Sequence, residues 1–288
     1  MIEAKGICKS FGDRKVLDGI DLDIGSGKIF GLLGPSGSGK TTLIKIVTGQ
    51  LEFDKGSICI LGKDVGALTG KDRKRIGIMM DEHGVYERLS CADNLKIFAD
   101  IYGVPYSKVM PALEQVGLAD SARKPAMKLS KGMRARLRLA RVFMIEPEIL
   151  FLDEPTSGLD PMTMRYIHKL ILAQKERGCS VFLTTHNMEE AAALCDEVAL
   201  LNEGRIIDRG APSEICRKYN HKKRIVIHLK SGGDVELAHG KESALRIAEL
   251  IEQGDVETIH SSEPTLETVF IELTGRKLDD SDEEVKYA

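Results

Sequence analysis

A glycine-rich run, residues 34–42, lies between the apolar run 29–33 and an amphipathic helical pattern, and it holds the side chains best suited to chemistry. Its members are Gly34, Pro35, Ser36, Gly37, Ser38, Gly39, Lys40, Thr41 and Thr42. The run fits G-x-x-x-x-G-K-[ST] in the strand, loop and helix order of a phosphate-binding loop. Its glycines let backbone N–H groups converge on one anion, and the following helix adds the positive end of its dipole. We therefore predict a nucleotide-binding site.

Two side chains at the end of this run define the predicted chemistry. Lys40 would reach the β- and γ-phosphates of a nucleotide, and the Thr41 hydroxyl would ligate Mg²⁺. The alternative is a glycine-rich turn that merely precedes a helix. The agreement of strand, loop, Lys-Thr pair and amphipathic helix favours the nucleotide site.

A pair of acids, Asp153 and Glu154, follows the apolar run 149–152. Because parallel strands present their carboxyl ends at one edge of a sheet, both side chains would reach the phosphate loop. Two carboxylates there are unfavourable unless Asp153 holds Mg²⁺ and Glu154 polarises an attacking water. Alternatively, the two acids cap the next element. The upstream phosphate loop favours the catalytic interpretation.

The composition predicts a chain with a sizeable core. Of the 288 residues, 42% are hydrophobic and 30% are charged, and the formal net charge is -3. This mild acidity argues against a broad nucleic-acid-binding surface. No apolar run approaches the roughly 20 residues that span a bilayer, and the N-terminus lacks an apolar core, so we expect neither a membrane span nor a signal peptide. The six cysteines form no C-x-x-C pair, which favours reduced thiols over a disulfide framework or a zinc site.

Around these motifs strands alternate with helices, which predicts an α/β fold with a mostly parallel core sheet covered on both faces. Residues 2–24 predict paired strands of an antiparallel β subdomain. Residues 82–128 have helical periodicity without an intervening strand, which predicts an inserted helical subdomain. The helix at 133–144 interleaves arginines with apolar residues. That pattern suits a half-buried helix better than a nucleic-acid-binding one.

The composition changes after Tyr219, which predicts a domain boundary. We expect residues 1–220 to form the main domain. Residues 221–275 read as a small C-terminal α+β unit with three strands and two helices. The acidic tail, residues 276–288, is predicted to be disordered.

Taken in order, these motifs resemble those of the nucleotide-binding subunit of an ATP-binding cassette (ABC) transporter, a P-loop NTPase, over residues 2–215. Residues 129–133, Leu-Ser-Lys-Gly-Met, stand where the family has its signature L-S-G-G-Q. They depart at the third and fifth positions and keep the serine, Ser130, and the second glycine, Gly132. The resemblance implies that these two residues bind ATP.

Four further positions match the family one by one. Asp160 ends Ser-Gly-Leu-Asp, which corresponds to the D-loop, and His186 corresponds to the catalytic switch histidine. Phe11 stands where the family stacks an aromatic ring on adenine, and Val16 is nearby. The resemblance thus implies nucleotide contacts for Phe11, Val16 and Asp160.

One position departs from the family pattern. The Q-loop glutamine of the family, which contacts Mg²⁺ and water, aligns with Asp81. An ionised aspartate offers only acceptors, carries a full negative charge and has a side chain one methylene shorter. Either Asp81 ligates Mg²⁺ directly or through water and so assists catalysis, or it ends a strand and faces solvent.

The resemblance implies an ATPase subunit that powers a membrane transporter, with ATP and Mg²⁺ as ligands. It also implies separate transmembrane permease subunits and a second ATPase subunit, expected to be an identical copy that pairs head to tail. Residues 82–95 and 263–275 resemble exporter cassettes that serve antibiotic or peptide efflux and immunity. The expected location is cytoplasmic, on the cytoplasmic face of the membrane through the permease, and no nucleic-acid partner is expected.

The main alternative is a soluble ABC-type ATPase that acts on ribosomes or DNA. Such proteins typically carry two cassettes per chain or a long coiled-coil insertion, and this sequence has neither. A simple P-loop kinase is a weaker alternative, because it leaves the signature segment and His186 unexplained.

Overall fold

The computed structural model describes residues 1–80, 84–221 and 224–275. Within them the chain forms two compact units, which divide between Ala211 and Pro212. The predicted ligand Asp81 and the predicted disordered tail lie outside the described residues. None of the helices in the described ranges has the length and hydropathy of a bilayer-spanning segment.

Strands and helices alternate along the first unit. Its strands are β1 (Ile2–Phe11), β2 (Arg14–Ile24), β3 (Ile29–Leu33), β4 (Lys55–Ile60), β5 (Lys63–Asp64), β6 (Ile76–Met79), β7 (Ile149–Asp153), β8 (Ser180–Thr185), β9 (Glu197–Asn202) and β10 (Arg205–Gly210). Its α-helices are α1 (Lys40–Val47), α2 (Gly70–Arg73), α3 (Cys91–Tyr102), α4 (Val109–Gln115), α5 (Lys131–Phe143), α6 (Pro161–Glu176) and α7 (Met188–Leu194). The sequence patterns predict all of these elements except the short β5 and α2.

Two sheets organise the first unit. The core sheet has six strands in the order β10-β9-β3-β8-β7-β6. Its neighbours are parallel except at the β9–β10 hairpin. The second sheet is antiparallel, in the order β2-β1-β4-β5. The predicted α/β fold, with a mostly parallel core sheet and an antiparallel subdomain, is confirmed.

The centre of the core sheet is closed to solvent on both faces. Every residue of β3, β7 and β8 is buried. The ring centroid of Phe182 lies 5.4 Å from that of Phe30 and 5.6 Å from that of Phe151, so the three central strands share an aromatic layer. Because these strands are parallel, their carboxyl ends meet at one edge of the sheet. The phosphate loop and His186 follow two of those ends, and Asp153 is the last residue of β7.

The inserted helices pack beside this core. Ser90 caps α3, since its hydroxyl accepts a hydrogen bond of 3.1 Å from the Asp93 N–H. Pro111 lies in the first turn of α4, where a backbone N–H has no intrahelical partner, so the proline is tolerated. Helix α5 buries Leu137 and Phe143 along its apolar face. This packing supports the half-buried interpretation of the arginine-rich helix.

The second unit is a small α+β fold. Its elements are α8 (Pro212–Lys218), β11 (Arg224–Leu229), β12 (Asp234–Ala238), α9 (Lys241–Glu252), β13 (Val256–Ser262) and α10 (Leu266–Thr274). The three strands form an antiparallel sheet in the order β12-β11-β13. The sequence analysis assigns no helix to α8, although Pro212 at its first position is a common helix start. Helix α8 packs on α10 and so belongs to this unit. Independent domains at 1–220 and 221–275 remain a prediction.

Candidate active site

The phosphate loop joins β3 to α1 in a backbone conformation that requires glycine. Gly39, the N-cap of α1, has φ 110° and no side-chain cap, so the first N–H groups of the helix are not capped by a side chain. A Cβ at Gly39 would lie 2.8 Å from Leu17 Cδ2, and one at Gly34 would lie 2.3 Å from the Leu201 carbonyl oxygen. Close packing therefore requires glycine at positions 34 and 39, and the positive φ is a second reason at Gly39.

Lys40 is held at the mouth of this loop. Its side chain is only 7% exposed, and Nζ donates to the carbonyl oxygens of Gly34 at 2.7 Å and Pro35 at 3.2 Å. Nζ also lies 3.4 Å from Glu154 Oε1. A buried ammonium with these contacts is pre-organised for an anion that enters the loop.

Thr41 and Asp153 meet as the sequence predicts. Thr41 Oγ1 donates to Asp153 Oδ2 at 2.8 Å, and the Thr184 hydroxyl donates to the other carboxylate oxygen, Oδ1. One hydroxyl and one carboxylate are hard oxygen donors, which suits Mg²⁺. The sequence motifs assign no role to Thr184. Its position opposite Asp153 in the parallel β7–β8 register makes it a second partner of that carboxylate.

Glu154 contacts His186 directly. Glu154 Oε2 lies 2.8 Å from His186 Nδ1. The Glu154 backbone has φ 48°, an uncommon conformation for a residue other than glycine, and its N–H donates to the Thr184 carbonyl oxygen at 3.1 Å. The two acids of the predicted pair therefore have different partners. Asp153 contacts Thr41, and Glu154 lies between Lys40 and His186. Strain of this kind is often found at functional sites.

Lys40, Thr41 and Glu154 border an open cleft of about 380 Å³. It is lined by Arg14, Val16, Ser36, Gly37, Gly39, Lys40, Thr41, Thr42 and Glu154. Arg14 is a lining residue that the sequence motifs do not predict.

The predicted Phe11 does not line the cleft. Its side chain is half exposed, and the residue pairs with Arg14 across the β1–β2 turn. Lys9 Nζ lies 5.4 Å from the centroid of its ring. An exposed ring at that turn is available for stacking. Ser38 Oγ is buried and has no hydrogen-bond partner among the described residues, so an unused donor remains in the loop.

Three other predicted ATP ligands, Ser130, Gly132 and Asp160, are not among the residues that line this cleft, and two of them cap helices. The Ser130 hydroxyl, at the start of α5, accepts from the Met133 N–H at 3.2 Å. Asp160, at the start of α6, accepts from the N–H and hydroxyl of Thr163 at 3.0 and 2.7 Å, and these bonds hold the pKa of Asp160 below its usual range. A Cβ at Gly132 would lie 2.7 Å from Thr163 Cγ2, so the two helix starts pack together.

Comparisons with known proteins identify the family of this site. Residues 17–157 match the family model described as ABC transporter. The fluoroquinolones export ATP-binding protein of Mycobacterium tuberculosis is 40% identical over 264 residues, which cover 90% of this chain and 88% of that protein. The chain belongs to the ABC transporter family.

Further relatives agree with this assignment over the full cassette. The linearmycin resistance ATP-binding protein of Bacillus subtilis is 30% identical, over 97% of this chain and all of that protein. A solved structure of an ATP-binding subunit of an ABC transporter superposes with a TM-score of 0.69 at 25% identity, covering 87% of this chain and 99% of that one. As an ABC cassette, the chain is an ATP-binding and ATP-hydrolysing subunit that drives transport. The predicted function as the ATPase subunit of a transporter is confirmed, and the relatives do not support the alternative of an ATPase that acts on ribosomes or DNA.

Proposed function

We propose that this ABC ATPase powers an exporter and that its hydrolytic site is the cleft between the phosphate loop and the Glu154–His186 pair. The observation that supports this most strongly is the convergence of Lys40, Glu154 and His186, with contacts of 3.4 and 2.8 Å. A cation, a carboxylate and an imidazole at one sheet edge provide charge stabilisation for phosphates and a base for water.

Each residue of the proposed site has a distinct role in ATP hydrolysis. Lys40 binds the β- and γ-phosphate oxygens, and the uncapped N–H groups of α1 bind the same anion. Glu154 accepts a hydrogen bond from the attacking water and orients it in line with the γ-phosphorus. His186 holds the Glu154 carboxylate through Nδ1 and can donate to the γ-phosphate from Nε2 in its protonated form. The nucleotide base stacks on Phe11 beside Val16.

Thr41 and Asp153 would hold Mg²⁺, which suits their oxygen donors. Held by these two residues, the ion would offset the negative charge of the phosphates. Asp81 is a further proposed ligand, directly or through water, although it lies outside the described residues. Because Asp153 also accepts from Thr184, its carboxylate is oriented before any ion arrives.

We further propose that two identical copies pair head to tail, so that Ser130, Gly132 and Asp160 of one copy complete the cleft of the other. A serine hydroxyl and a glycine N–H suit the terminal phosphate. This arrangement links association to ATP binding and dissociation to hydrolysis.

The names of the relatives support a proposal for the cargo. One relative is named for fluoroquinolone export and another for linearmycin resistance, which supports an antibiotic or another drug-like or peptide cargo. We propose that the helical insertion at 82–128 docks on transmembrane permease subunits, which places the ATPase on the cytoplasmic face of the membrane. The second unit would serve dimer contact or regulation.

Co-expression with candidate permeases tests this function. The wild-type chain should co-purify with its permease, and an antibiotic cargo should raise ATPase activity of the complex in lipid. Glu154→Gln is the matched control, since it should co-purify equally and remain inactive. Association with ribosomes or nucleic acid in place of a membrane protein would contradict the proposal.

A further inference from the structure

A buried carboxylate, Glu190, lies beside the proposed catalytic pair and has no part in the mechanism above. It is 2% exposed, on the first turn of α7. Its Oε1 accepts from the Thr156 hydroxyl at 2.5 Å and lies 3.0 Å from His168 Nε2. Its Oε2 has no hydrogen-bond partner among the described residues. Burial of a half-satisfied carboxylate is unfavourable, so this residue calls for an explanation other than stability.

The partners of Glu190 come from the segments that carry the catalytic pair. Thr156 is itself buried and lies in the turn after Glu154, where the Ser157 N–H donates to the Glu154 carbonyl oxygen at 3.2 Å. On the other side, the Glu190 N–H donates to Asn187 Oδ1 at 2.9 Å, and Asn187 directly follows His186. Glu190 is therefore attached to both segments.

These contacts close a ring. Thr156, two residues after Glu154, donates its hydroxyl hydrogen bond to the Glu190 carboxylate. The Glu190 backbone N–H donates to the side chain of Asn187, which directly follows His186. The contact of 2.8 Å between His186 Nδ1 and Glu154 Oε2 completes the ring. Glu154 adopts a left-handed backbone conformation, which persists only where surrounding contacts enforce it. The Thr156–Glu190 bond is one such contact, and His168 adds a second from α6.

We propose that Glu190 is a positioning residue for ATP hydrolysis, which acts through Thr156 and Asn187 to set the placement of Glu154 against His186. This inference rests on the proposed roles of that pair. Glu190 is not among the residues that line the phosphate cleft, so it should affect the rate of the chemical step and leave nucleotide affinity unchanged. A small displacement of a catalytic group is sufficient to slow an enzyme strongly.

Thr156→Val tests the proposal, because it removes the hydroxyl that donates to Glu190 and keeps a side chain of similar shape. We expect kcat for ATP to fall by about tenfold and KM to stay within about twofold. Thr156→Ser restores the hydroxyl and should recover most of the wild-type kcat. A purely structural role of Thr156 predicts a lower melting temperature with kcat unchanged per folded molecule.

The chain offers a matched control in Thr69. Its hydroxyl also donates to a buried carboxylate, Asp72 Oδ2, at 2.6 Å, but it lies at the start of α2. Thr69→Val should leave kcat within about twofold of the wild type. If Thr156→Val does not fold, Glu190→Gln is measured in its place, with the same expectation.

The outcomes separate this inference from the proposed function. A folded Thr156→Val or Glu190→Gln with wild-type kcat overturns the positioning role, as does a loss of ATP affinity equal to the loss of kcat. Wild-type hydrolysis by Glu154→Gln would overturn the proposed function itself. Loss of hydrolysis in Glu154→Gln together with wild-type kcat in Thr156→Val would remove only the inference about Glu190.

Discussion

The phosphate-loop cleft and the signature segment use their polar groups in opposite ways. At the cleft, Glu154 contacts both Lys40 and His186, and the start of α1, which no side chain caps, faces the same loop. In the signature segment Ser130 already accepts a hydrogen bond as the cap of α5, and in the D-loop Asp160 does the same for α6. A cap of this kind stabilises a helix by about 0.5–2 kcal/mol. The polar groups of the cleft therefore face open space, whereas Ser130 and Asp160 have a structural role within the chain.

Glu154→Gln should have the largest effect on the cleft. The amide keeps the size of the side chain and removes the base, so turnover should fall by roughly 10²-fold or more. ATP affinity should remain close to that of the wild type, because Lys40 and the loop backbone are unchanged. Steady-state hydrolysis and equilibrium binding of ATP, measured on the same preparation, check both parts. Unchanged hydrolysis would remove Glu154 from the proposed role.

Lys40→Ala should act on binding. Hydrogen bonds to charged groups contribute about 1.5–3 kcal/mol, which corresponds to roughly a 10- to 100-fold loss of ATP affinity. Calorimetric titration with ATP measures the affinity of the variant and of the wild type. The variant also leaves Glu154 without its cation, so a melting curve is needed to show that the protein is folded. An unaltered affinity in a folded variant would contradict the phosphate-loop assignment.

The difference between the two regions also explains what the sequence could predict. The phosphate loop and the acid pair follow from contiguous motifs, and the parallel order of strands brings them to one edge. The second bond of Asp153, from Thr184, depends on register between β7 and β8, which no local pattern encodes. Arg14 and Glu190 were missed for the same reason, since their roles come from contacts between segments far apart in sequence.

At the starts of α5 and α6, one sequence pattern fits two different roles. Ser130 fits a serine N-cap pattern as well as a signature, and Asp160 with Pro161 fits a helix start as well as a D-loop. A single chain displays only the capping role. The ATP-binding role of these residues depends on a second copy, so it remains a proposal that sequence resemblance supports.

Removal of the second unit should have the smallest effect. The residues that line the cleft all precede Ala211, where the two compact units divide. A fragment of residues 1–211 should therefore bind ATP within about twofold of the full chain. A second fragment that ends after Tyr219 retains α8 without α10 and serves as the comparison. Loss of ATP binding in a soluble, folded 1–211 fragment would show that the nucleotide site needs the second unit.

The shared ATP site is tested most directly by the association state of two variants measured by sedimentation. Glu154→Gln with ATP and Mg²⁺ should form a dimer, and without nucleotide it should be a monomer. Adding Ser130→Asp keeps an effective helix cap but places a negative charge against the terminal phosphate of the partner's ATP, so this double variant should bind ATP and remain monomeric. A Glu154→Gln protein that stays monomeric with ATP bound, or a double variant that still dimerises, would contradict the account.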